Sequence, residues 1–113
     1  MKVIDVLEGY FAAECTANGR PRHAAKVCLT ATSDAGQITY EWMISFFPHD
    51  DDEDFAVSYD AVVSRTVFAG KGRRSKKKEE AFLKDREAVC DVLAAELEGK
   101  IFWEQPLREI RRG

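Results

Sequence analysis

Apolar and polar residues alternate with different rhythms along this chain, and each rhythm predicts an element. Val3, Leu7, Tyr10, Phe11 and Glu14 follow a spacing of three to four residues with the apolar members on one side, which predicts a helix over residues 2–15. Asn18-Gly19-Arg20-Pro21 then reads as a turn. From Ala25 to Thr32 the rhythm changes to two: Ala25, Val27, Leu29 and Ala31 face one way and Lys26, Cys28, Thr30 and Thr32 the other, as in a half-buried strand. After a turn at Ser33-Asp34-Ala35-Gly36, Ile38, Tyr40, Trp42, Ile44 and Phe46 share one face of a second strand, giving an antiparallel hairpin that stops at Pro48.

His49 to Asp54 is an acidic loop. A third strand lies within 55–69, most clearly from Ala61 to Ala69. Val62/Phe68 and Val63/Val67 point to opposite faces of it, which either a bulge or burial on both sides would produce. Gly70-Lys71-Gly72 breaks this strand, and Ser75 is an N-cap with acid following at Glu79 and Glu80. Residues 76–98 then predict one long helix with an apolar stripe of Phe82, Val89, Val92, Leu93 and Leu97, closed by Glu98-Gly99-Lys100. Ile101-Phe102-Trp103 and Pro106 belong to a tail that adds a strand or wraps the body, and Arg111-Arg112-Gly113 reads as a frayed end. The expected fold class is therefore α+β, in the order α-β-β-β-α, with an antiparallel sheet of three strands or slightly more packed against two helices. Residues 1–99 make the domain, and 100–113 a C-terminal extension that packs on it or extends it.

Composition narrows the class. With 45% hydrophobic and 33% charged residues in 113, the chain suits one globular domain. No apolar run approaches the ~18–20 residues of a membrane helix, and Asp5 stands where a secretory signal needs an apolar stretch. The expectation is a soluble, intracellular (cytoplasmic) protein with no membrane partner. Cys15, Cys28 and Cys90 are odd in number, widely spaced and without a C-x-x-C pair, which fits reduced thiols rather than a disulfide framework or zinc site.

Charge distribution changes the picture more than net charge does. Lys71, Arg73, Arg74, Lys76, Lys77 and Lys78 place six positive charges in eight residues, and removing them from the net −3 leaves −9 on the rest. Two glycines allow close backbone approach here, and a helix then begins with free N–H groups and the positive end of its dipole. Three lysines in that first turn oppose the dipole; the run is either a solvated helix end or a site where a polyanion lying across it reverses the sign of that cost.

The stretch Gly70-Lys71-Gly72-Arg73-Arg74-Ser75-Lys76-Lys77-Lys78, leading from a strand into an amphipathic helix, resembles the end of the double-stranded RNA-binding domain. The α-β-β-β order before it matches that family too. Val6-Leu7-Glu8-Gly9-Tyr10 is similar to the family's first helix and Arg20-Pro21 to the turn that follows, so the resemblance covers residues 3–98. It implies recognition of duplex RNA by shape, across two minor grooves and the major-groove phosphates between them. It also implies that Lys76, Lys77 and Lys78 hold phosphates while Glu8 faces 2′-hydroxyls; Lys71, Arg73 and Arg74 of the same basic run are expected to add affinity through their charge. The chain departs from the family in one extra residue between Gly72 and Ser75, in a first hairpin loop without His or Pro, and in the acidic insertion at 48–60.

The functional expectation is a non-enzymatic binding module for double-stranded RNA, with no cofactor, metal or catalytic residue. The alternative is a protein-interaction module that does not bind RNA: a dimerising, adaptor or inhibitor protein, including one encoded by a phage or virus, using apolar surface near Trp103. A third reading is a metal-dependent nuclease built on the acidic run, which requires Asp51 and Asp52 as carboxylate ligands. His23 and His49 show no sequence pattern of a catalytic site.

Overall fold

The computed structural model describes residues 1–48 and 61–111. Over these residues the chain forms strands β1 (Lys2–Cys15), β2 (Arg22–Asp34), β3 (Gln37–Phe47) and β4 (Ala61–Lys71), helices α1 (Lys76–Lys84) and α2 (Arg86–Glu96), and strand β5 (Lys100–Arg111). A short 3-10 turn, Ala17–Gly19, joins β1 to β2. The strands make one sheet in the order β4-β3-β2-β1-β5, with every neighbouring pair antiparallel. The chain therefore runs β-β-β-β-α-α-β, and the expected α-β-β-β-α order is wrong. After the four-strand meander, α1 and α2 carry the chain across one face of the sheet, and β5 pairs with β1 at the other edge.

The expected first helix is β1. Its helical spacing is an accident of burial on two faces. Leu7 and Phe11 face the helix-covered core, whereas Tyr10 packs with Ala24 and Phe47 in a separate cluster. A bulge adds to the effect: Asp5 lies opposite Thr30 and Leu7 opposite Leu29, so Val6 is an extra residue and is buried beside Leu7. An internal strand buried on both sides loses its period of two, and these residues then imitate the i, i+3, i+4 pattern of a helix.

The β2–β3 hairpin keeps its alternation because one face carries most of the core. Ala25, Val27, Leu29 and Ala31 lie opposite Phe46, Ile44, Trp42 and Tyr40, and all eight are in the main core cluster. Its two-residue turn has positive φ at Ala35 and Gly36, as a type I′ turn requires. The ambiguity in β4 resolves to a bulge at Val67, since Phe68 lies opposite Tyr40 and Thr66 opposite Glu41.

The expected single helix breaks at Asp85, whose φ of −90° and ψ of 6° end α1 and open α2. Asp is a poor interior helix residue. Within α2 the core takes Cys90, Leu93 and Ala94, while Val92, expected in the apolar stripe, is 54% exposed. The helix closes in a Schellman motif: Glu98 donates to the Ala95 carbonyl and Gly99 to the Ala94 carbonyl, with Glu98 at a φ of +55°. Gly99 is required by close approach, because a Cβ there would run into the Phe46 ring. No helix among the described residues is long and apolar enough to cross a membrane.

Candidate nucleic-acid interface

The basic stretch lies where β4 hands over to α1. Lys71 is the last residue of β4, opposite Gln37. Gly72 then turns the chain at a φ of +123°, a region that strongly favours glycine, and donates its N–H to the Gly36 carbonyl at 2.8 Å. The turn is thus tied to the tip of the β2–β3 hairpin. Ser75 caps α1, with its Oγ accepting from the Lys78 N–H at 3.3 Å.

A buried polar network fixes this corner. Tyr40 of β3, 0% exposed, reaches up from the sheet. Its hydroxyl accepts the Ser75 N–H at 3.0 Å and donates to Glu79 Oε2 at 2.6 Å. Arg74 then grips Glu79 with two hydrogen bonds, Nε to Oε2 at 3.0 Å and Nη2 to Oε1 at 2.7 Å, the bidentate geometry of a strong pair. Glu79 is only 5% exposed. Burial pushes its carboxyl up, but the Arg74 guanidinium and the Tyr40 hydroxyl outweigh that and hold it below its ordinary value. The Tyr40 hydroxyl moves the other way, raised by burial and by the carboxylate it donates to.

The six expected cations therefore divide. Arg74 is turned inward and occupied by Glu79. Lys78 is exposed, with its ammonium 5.0 Å from the centre of the Phe68 ring. Lys71, Arg73, Lys76 and Lys77 are exposed and form no ion pair among the described residues. Glu8 does not join them. It lies on β1 opposite Cys28, on the sheet face away from the helices, where its carboxylate accepts from the Tyr10 hydroxyl at 2.6 Å and faces Lys26 Nζ at 3.7 Å. With β1 a strand, the helix that was to carry Glu8 toward a minor groove does not exist.

Tyr40 and Glu79 were missed as parts of the site. Glu79 had a legible signal: with Phe82 and Leu83 it makes an i, i+3, i+4 set on the core side of α1, and an acid there needs a buried partner. Tyr40 had none, since it meets Ser75 only through the fold.

The other candidates lie elsewhere. Trp103 packs edge-on against Phe11 with centroids 4.9 Å apart and donates its indole N–H to Asp91 at 2.9 Å, so it joins β5 to α2 and β1. His23 is exposed on β2, toward the end of the sheet away from the basic corner. The three cysteines are buried and unbridged, and burial raises the Cys28 thiol to about 11 and the Cys90 thiol to about 12. His49 and the acidic run Asp50 to Asp54 lie outside the described residues. Among the described residues no three His, Cys, Asp or Glu side chains group as metal ligands would. Compared with protein-family models, with curated proteins and with solved structures, the chain matches none.

Proposed function

We propose that this chain is a non-enzymatic binding module whose β4–α1 corner takes the phosphate backbone of a nucleic-acid duplex, with double-stranded RNA as its ligand. The observation that carries this reading is the state of the four outward cations. Lys71, Arg73, Lys76 and Lys77 are exposed without an ion partner among the described residues, while Glu79, the first acid of α1, is buried and committed to Arg74. Glu79 is thus withdrawn from the helix surface, which leaves the exposed Glu80 as the acid beside Lys76 and Lys77. Lysines at a helix N-terminus work against its dipole by roughly 0.3–1 kcal/mol each, and a phosphate there is favoured both by the dipole and by the side chains.

Recognition of this kind reads backbone charge rather than base edges, so affinity falls steeply with salt and varies little with sequence. A labelled duplex of about 20 base pairs, the scale of a ~16-base-pair shape-reading footprint, is titrated at two salt concentrations, as RNA and as matched DNA. Salt-sensitive binding that favours RNA and is lost in Lys76→Ala/Lys77→Ala is the expected result. Equal binding of both duplexes would remove the RNA assignment and leave a general phosphate-backbone binder. No binding at low salt would overturn the reading.

A further inference from the structure

Resting on that reading, we propose that the interface crosses the end of the sheet to Lys2 of β1, so that one duplex meets cations at two places. The strand register carries this. Gly70 lies opposite Ile38, Ile38 opposite Ser33 and Ser33 opposite Lys2, so these four residues form one row across β4, β3, β2 and β1. Directly opposed residues share a face. Ile38 is in the core under the helices, which places Lys2 on the helix side of the sheet as well.

The next row inward is Phe68, Tyr40, Ala31 and Ile4. Tyr40 holds the Ser75 N–H and Lys78 lies over Phe68, so the first turn of α1 stands above β3 and β4 at this same end. β1 is two strand spacings from β3 and three from β4, roughly 10–15 Å. Lys2 is exposed and forms no ion pair among the described residues. Between the two places lies the β2–β3 turn, whose acid, Asp34, faces the Met1 amino group at 4.0 Å. A duplex carries about one negative charge per ~1.7 Å of its axis. Two cationic places roughly 10–15 Å apart therefore face different phosphates of one duplex, whereas a single phosphate group engages only one of them.

Each phosphate contact contributes about one to the slope of log K against log salt. The slope for a ~20-base-pair RNA duplex is measured for the wild type, for Lys2→Ala and for Lys100→Ala. Lys100 is the control: an exposed cation opposite Glu14, at the other end of β1. Thermal melting of each variant confirms the fold. The expected result is a slope shallower by about one in Lys2→Ala and unchanged in Lys100→Ala. A Lys2→Ala slope equal to wild type overturns the extension and leaves the corner standing. An equal loss in both variants also overturns it, since net charge alone then explains the change. A wild type without salt-dependent binding removes the corner and the extension together.

Discussion

Two junctions between helix and strand treat their charges in opposite ways. Where α2 meets β5, three polar side chains have a local answer. Arg86 bonds Glu109 at 2.7 Å, Trp103 bonds Asp91 at 2.9 Å, and Lys100 lies 5.5 Å from the centre of the Phe102 ring. Where β4 meets α1, only the inner half is answered. Arg74, Glu79 and Tyr40 close on one another, and Lys71, Arg73, Lys76 and Lys77 point to solvent. A charge satisfied inside the fold contributes to stability; a cluster left unsatisfied at a helix N-terminus is stabilised by whatever anion arrives. Arg73 and Arg74 are neighbours in sequence and fall on different sides of that line.

The contrast breaks most severely at Glu79. Glu79→Ala leaves Arg74 half-buried and the Tyr40 hydroxyl without its acceptor, and about 3 kcal/mol of stability is lost, the low end for a buried pair because the Arg74 side chain is 30% exposed. Chemical denaturation measures this. The Lys76→Ala/Lys77→Ala variant is expected to unfold at the same denaturant concentration or slightly above, because the lysines oppose the helix dipole. A large loss in that variant would mean that the outward cations are structural after all.

Gly99→Ala is next. Its Cβ would run into the Phe46 ring, which is wholly buried, and overpacking of this kind costs about 1–3 kcal/mol. The thermal midpoint falls without any change in the salt slope of binding, which separates the α2–β5 junction from the ligand-facing one.

The acid limb of stability sharpens the inner half. The Glu79 carboxyl is held below its ordinary value of 4.5 in the folded chain. Its contribution is therefore complete above that ordinary value and is lost as pH falls through the lowered one. Denaturation midpoints measured from neutral pH downward show this loss, and Glu79→Gln flattens that part of the profile. A profile identical to wild type would place the network outside the stability of the fold.

The smallest effect is a gain. Glu98 takes the left-handed position of the Schellman motif, and Glu98→Gly relieves about 1 kcal/mol, seen as a modest rise in melting temperature. Because Glu98 lies at the α2–β5 junction, duplex binding stays as it was.

How much of this was legible depended on how many faces each element buries. The β2–β3 hairpin could be read from alternation, because Tyr40, Trp42, Ile44 and Phe46 all enter one core. β1 could not, because it lies inside the sheet with Leu7 and Phe11 on one face and Tyr10 on the other. The start of α1 was legible from Ser75 and the glycines before it, whose requirements are local. The break at Asp85 was not read, because the apolar spacing continues through it. The division of the basic run was hidden for a different reason. Which arginine turns inward is decided by Tyr40, and only the fold brings β3 beneath the Ser75 cap.

The central claim, that the four outward cations exist for a phosphate backbone, is tested most directly by the salt dependence of duplex RNA binding in a Lys71→Ala/Arg73→Ala/Lys76→Ala/Lys77→Ala variant beside wild type. Loss of about three to four units of log–log slope, close to 0.9 per phosphate contact, with melting unchanged, is the predicted result. Equal slopes in the two proteins would contradict it.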